Sequence, residues 1–176
     1  MNQPRTDGTV RIVGAGLLGT SIGLALRQAG VDVVLADQSK ATVALAVDYG
    51  AGRAATASDN PALIVVCVPP DQVAEIVERE LAASPQAIVT DVASVKGEIL
   101  ESLRAAGAPL QNYVGSHPMA GRERGGAISG RADLFFTMPW VLAIHEGASA
   151  AAVAAVEALA LDLGATPIRT SPEAHD

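Results

Sequence analysis

Val10-Arg11-Ile12-Val13-Gly14-Ala15-Gly16-Leu17-Leu18-Gly19-Thr20-Ser21-Ile22-Gly23 is the stretch on which the fold turns. Val10 to Val13 is a short apolar run that reads as a buried strand. The glycines at 14, 16 and 19 fit the spacing GxGxxG, and Leu17 to Gln28 continues as a helix that stops at Gly30. A strand that breaks at a glycine turn and re-enters as a helix places free backbone N–H groups at the helix start, where a diphosphate can sit. In that arrangement Gly14 makes the tight turn, Gly16 admits the diphosphate to the backbone, and Gly19 lets helix and strand pack closely. Ala15, Leu17 and Leu18 complete the loop. Val31 to Ala36 follows as a β-branched second strand, so the opening is a βαβ unit.

Asp37 ends that second strand, about 20 residues after the glycines, where an acid accepts from the adenosine ribose hydroxyls. Its charge opposes a 2′-phosphate by about 4 kcal/mol at 4 Å and an effective dielectric of 20. NAD is therefore expected in preference to NADP, with Lys40 close enough in sequence to moderate the choice.

The alternation continues outward. Lys40 to Asp48 reads as a helix, Ala62 to Val68 as a continuous apolar strand ended by Pro69 and Pro70, and Asp71 to Leu81 as a helix with Val73, Ile76, Val77 and Leu81 on one face. Ala87 to Val92 is a further strand, and Val95, Ile99 and Leu103 mark the helix after it. Tyr113 to Ser116 and Trp140 to Ile144 read as strands around a loop, and Ala148 to Leu163 as an Ala-rich helix. Such alternation predicts an α/β fold: a doubly wound, mostly parallel sheet of the Rossmann type that binds dinucleotides. Ser171-Pro172-Glu173 announces one more helix three residues before the sequence stops, which suggests a piece of a longer protein.

Composition bounds the rest. The chain has 176 residues, 49% apolar and 18% charged, enough for one domain with a real core. The balance of 19 acidic to 12 basic side chains, a net charge of −7, disfavours nonspecific nucleic-acid binding. A single cysteine, Cys67, excludes an internal disulfide framework and reads as core packing. No Cys/His spacing suits a metal. The polar first eight residues lack a secretory h-region and no apolar run reaches membrane length, so a cytoplasmic protein off the membrane is expected.

In doubly wound sheets ligands bind beyond the carboxyl ends of the strands. Val68 and Pro69 would form a stiff wall beside the cofactor. Asp91 to Gly97 leaves a strand and enters a helix, bringing Ser94 and Lys96 to the same edge; Ser94 reads equally well as that helix's N-cap, and Lys96 as a solvated residue. His117 closes a third strand, with its backbone restricted by Pro118, and suits proton removal from an alcohol during hydride transfer. His145 and His175 carry no motif and read as surface residues.

Together these segments resemble the prephenate dehydrogenases of tyrosine biosynthesis. The resemblance covers nearly all of the chain and rests on Val13 to Gly23, on Asp91 to Gly97, and above all on His117-Pro118-Met119-Ala120-Gly121 with Glu123 following. It implies NAD-dependent oxidative decarboxylation of prephenate to 4-hydroxyphenylpyruvate. It also implies His117 as the catalytic base and Ser94 as the residue that orients histidine and substrate. After His-Pro-Met-Ala-Gly the family often has a small hydroxyl residue, whereas this sequence has Arg122. Arg122, or Arg124, and Glu123 are the expected substrate contacts, an arginine binding a carboxylate bidentately. An ion pair with Glu123 is the alternative for Arg122.

Members of the family are similar in having a C-terminal helical domain that dimerises and closes the site. Residues 1–170 are then the cofactor-binding domain and 171–176 the start of that second domain, the rest of it absent. Residues 1–176 alone are expected to bind NAD but to turn over prephenate poorly, the full-length protein being a homodimer. An arogenate dehydrogenase, a non-catalytic NAD-binding regulatory module, and a reductase of imines or hydroxy acids are the competing readings.

Overall fold

The computed structural model describes residues 3–120 and 126–176, with Ile128 lacking a described side chain. Strand β1 (Val10–Val13) leads into helix α1 (Leu17–Gln28), then β2 (Val33–Ala36), α2 (Lys40–Asp48), β3 (Arg53–Ala54), β4 (Leu63–Val66), α3 (Pro70–Ala83), β5 (Ile88–Asp91) and α4 (Gly97–Ala105). These five strands form one parallel sheet in the order β3-β2-β1-β4-β5, with Val10 of β1 in register with both Val33 of β2 and Leu63 of β4. The chain moves outward from β1 to β3 and then crosses back to β4. The strand order therefore reverses between β1 and β4, and a crevice opens above their carboxyl ends.

A second, three-stranded sheet holds β6 (Gly115–Pro118), β7 (Pro139–Ala143) and β8 (Thr166–Thr170), with α5 (Ala150–Asp162) between β7 and β8 and α6 (Pro172–His175) after β8. β6 and β7 run antiparallel, β7 and β8 parallel. A parallel bridge from Val89 to Tyr113, and the Val114 N–H donating to the Val89 carbonyl at 3.2 Å, join this sheet to the edge of β5. The fold is the doubly wound α/β arrangement that the alternation implied.

Two cores explain why the central strands are apolar on both faces. Leu63 and Val65 of β4 pack with Val10, Ile12, Ile22, Trp140 and Val156 on one side. Ile64 and Val66 pack with Val73, Val77, Leu81, Ile99 and Leu103 on the other. All four residues of β4 are buried, as a parallel strand covered by helices on both faces must be. Each buried side chain of this size stabilises the fold by about 1.5–3 kcal/mol relative to exposure.

Two elements carry no strong local signal. β3 is two exposed residues. β8 is an edge strand paired only to β7 and mostly open to solvent, so Thr166 to Thr170 lacks an apolar run and tolerates Pro167. The start of α4 also differs from expectation. Val95 is 37% exposed rather than on the buried helix face, and Ser94 is not the N-cap. Lys96 occupies that position without a side-chain cap of its own. The Asp176 carboxylate does the capping from 79 and 80 residues away, accepting from Gly97 N–H at 2.7 Å and Lys96 N–H at 3.1 Å. Ser171, by contrast, is the N-cap of α6 and accepts from Ala174 N–H at 3.1 Å.

Candidate active site

The glycine loop shapes one end of the crevice. Gly14 has φ +100°, and a Cβ there would come within 2.5 Å of the Cys67 carbonyl oxygen, so β1 and β4 approach only because the side chain is missing. A Cβ on Gly19 would collide with the Gly14 carbonyl oxygen. Ala15 is fully buried behind the loop. Gly16 is different: a Cβ there would meet nothing within 4 Å, so the fold does not demand glycine at that position. Gly16 lines the crevice, where a side chain would take up space that a ligand needs.

Gly16 is also the N-cap of α1, with no side-chain cap and no acidic residue in the first turn. The first N–H groups of the helix, and the positive end of its dipole, are left for an anion. Asp37 stands beside them, its carboxylate accepting from Ala15 N–H at 2.9 Å and from Ser39 N–H at 2.9 Å. Those bonds tie the end of β2 to the glycine loop and hold the carboxylate still. Gly14, Gly16, Leu17, Leu18, Asp37, Val68 and Pro69 all line one cavity of about 830 Å³. These residues fit a dinucleotide.

Ser94, His117 and Pro118 line the same cavity. His117 is part-buried on β6, directly above a buried polar cluster. Lys96, expected as a solvated residue, lies at the centre of that cluster with its side chain 1% exposed. Its Nζ donates to the Asp91 carboxylate and, at 2.7 Å, to the Ser116 carbonyl. Asp91, fully buried at the end of β5, also accepts from Tyr113 O–H at 2.7 Å and Ala93 N–H at 3.0 Å. Ser116 O–H donates to the Asp91 carbonyl at 2.9 Å. The cluster fastens β6 to β5, so that His117 is carried to the crevice on a braced strand.

Burial sets the electrostatics here. It lowers the Lys96 pKa, opposed by the adjacent Asp91 charge, and raises the Tyr113 hydroxyl well above its ordinary value. It likewise pushes the Cys67 thiol up, with the Asp91 charge acting in the same direction. His117 is lowered by burial first, then by His175 and Lys96, against a smaller pull from Asp91. A histidine shifted this way is neutral at physiological pH and available as a base.

His145 and His175 are not the surface residues that the sequence suggested. His145 is buried, its Nε2 2.8 Å from the Tyr113 carbonyl. His175 meets His117, the two rings sharing a hydrogen bond of 3.0 Å between Nε2 and Nδ1. The fold brings these together across 58 residues, and no local pattern marks His175 for this contact. Arg122, Glu123 and Arg124 lie outside the described residues.

The family model described as prephenate dehydrogenase, nucleotide-binding domain, matches residues 22–169. The chain is 40% identical over 168 residues to the probable prephenate dehydrogenase NovF of Streptomyces niveus, covering 96% of this chain and 46% of that protein. It is 28% identical over 187 residues to the prephenate dehydrogenase of Bacillus subtilis strain 168, covering 100% of this chain and 49% of that protein. The chain thus spans about half the length of these two curated relatives. Among solved structures, Synechocystis arogenate dehydrogenase superposes with a TM-score of 0.84 at 28% identity, over 95% of this chain and 61% of that one. Prephenate dehydrogenase from A. aeolicus, in complex with hydroxyphenyl propionate and NAD+, superposes with a TM-score of 0.86 at 26% identity, over 97% and 62%.

Proposed function

This chain belongs to the prephenate dehydrogenase family as its nucleotide-binding domain, and from that premise we propose that the protein carries out NAD-dependent oxidative decarboxylation of prephenate to 4-hydroxyphenylpyruvate. One observation carries the reading. A single cavity is lined both by the bare amino terminus of α1 with Asp37 and by His117 with Ser94. The two parts that hydride transfer from an alcohol needs, a dinucleotide cradle and a base, therefore share one space.

In this reading the α1 terminus binds the diphosphate, Asp37 accepts from the adenosine ribose, and Val68 with Pro69 walls the cofactor. Ala15 and Gly19 act through the shape of the loop. NAD held there would supply the acceptor for hydride from the ring carbon that bears the hydroxyl. His117, held neutral by burial, takes the hydroxyl proton as hydride leaves, and Ser94 orients the hydroxyl. The electron pair of the breaking carbon–carboxylate bond enters the ring as carbon dioxide departs, which aromatises it, and the ring oxygen takes the proton back from His117 to give the phenol. Arg122 and Glu123 complete the proposed substrate contacts. The same reading makes the full protein a cytoplasmic homodimer, which sedimentation tests.

The likeness to an arogenate dehydrogenase supports a second substrate. Arogenate carries an amine where prephenate carries a keto group, and the same base and cofactor serve both. The test is NADH formation by the full protein with NAD and each substrate in turn. NADH matched by released carbon dioxide is expected with prephenate, and activity on arogenate alone would move the assignment to the second substrate. Silence on both, with NAD still bound, would overturn the enzymatic reading.

Cofactor choice gives a separate prediction. Asp37→Ser removes the charge that faces a 2′-phosphate, and the preference for NAD over NADP, as a ratio of kcat/KM, is expected to fall by about 10²-fold. An unchanged ratio would detach Asp37 from the ribose.

A further inference from the structure

We propose that His175, anchored by Asp176, is a positioning residue that fixes the tautomer of His117, leaving Nε2 as the bare, proton-accepting nitrogen. The inference rests on the reading of His117 as the base and adds how that base is prepared.

The geometry is a chain of three side chains. Asp176 Oδ1 lies 2.7 Å from His175 Nδ1, and His175 Nε2 lies 3.0 Å from His117 Nδ1, with the two rings edge to face. A carboxylate only accepts, so the hydrogen of this first bond belongs to His175 Nδ1. A neutral imidazole carries one N–H, which leaves His175 Nε2 as an acceptor. Its partner, His117 Nδ1, must then be the donor. The single hydrogen of neutral His117 is thereby committed to Nδ1, and the lone pair is committed to Nε2.

The anchor is itself held. Asp176 accepts from Lys96 N–H and Gly97 N–H at the first turn of α4, where the helix dipole favours a negative charge. The His175 ring and the Gly97 N–H keep the Asp176 carboxyl below its ordinary range. The His175 side chain is only 10% exposed, so water competes poorly for its bonds. Lys96 and Asp91 face the pair from beneath β6 and act on His117 with opposite sign.

The test is nuclear magnetic resonance of the full protein labelled with 15N-histidine, whose two-bond correlations distinguish the tautomers, with His117→Asn used to assign the signal. Wild-type protein at neutral pH is expected to show His117 protonated at Nδ1. His175→Leu is expected to shift it toward the Nε2–H form, with kcat falling about 10-fold or more at unchanged NAD affinity. His175→Gln, which keeps an acceptor near the Nε2 position, is expected to restore the Nδ1–H form and most of kcat. An Nε2–H signal in the wild type would overturn the proposal even if the leucine variant does not fold, as would a leucine variant with wild-type tautomer and pH profile. The tautomer stands or falls independently of the base itself, which the activity of His117→Asn judges.

Discussion

His117→Asn in the full protein is expected to lower kcat by about 10²- to 10⁴-fold while leaving NAD affinity unchanged, the range a well-placed general base contributes. Asparagine is close in size to the ring near Cβ, so β6 and its bracing by Ser116 and Lys96 remain in place. What disappears is the only imidazole among the described residues that lines the cavity. The wild-type pH profile supplies the companion test. In the proposed mechanism His117 acts when neutral, and burial, His175 and Lys96 lower its pKa, so neutral base persists below the ordinary histidine value. Activity should rise with pH through a midpoint below about 6.5 and be level above it, as read in kcat/KM. A variant retaining more than about a tenth of kcat would remove His117 from the chemistry.

Lys96→Met is expected to destabilise the fold by about 3–5 kcal/mol, because it strands a buried carboxylate without its counter-charge. Asp91 would keep Tyr113 and Ala93 as donors, but the Ser116 carbonyl would lose the ammonium that ties β6 to β5. Denaturant unfolding measures the loss. Adding Asp91→Asn to the same chain should recover part of it, since the stranded charge goes with it. A cost below about 1 kcal/mol, the range of a surface ion pair, would mean that the pair is solvated in solution.

The two experiments divide the site into layers. His117 lines the cavity, and its loss is expected in turnover. Lys96 holds the strand that carries His117 through the Ser116 carbonyl, and its loss is expected in stability. Both layers depend on the junction between the two sheets, where Tyr113 bridges to Val89 and Ser116 reaches back to β5.

The sequence by itself determined the core members of four of the parallel strands, β1, β2, β4 and β5, together with the glycine loop and the position of Asp37. These features are local. Strand runs buried on both faces are continuous and apolar, helices repeat every three to four residues, and a turn pressed against Cys67 accepts only glycine at position 14. The edge strand β8 escaped because an element open to solvent needs no apolar run. Lys96 read as solvated because nothing near it in sequence says that Asp91 and the Ser116 carbonyl will close over it. Only the tertiary structure decided the cap of α4, supplied by Asp176, and the meeting of His117 with His175. Both join residues 58 to 80 positions apart in the chain, and a hydrogen bond between such residues leaves no periodic trace. It exists only once the sheets have packed and brought its donor and acceptor within reach.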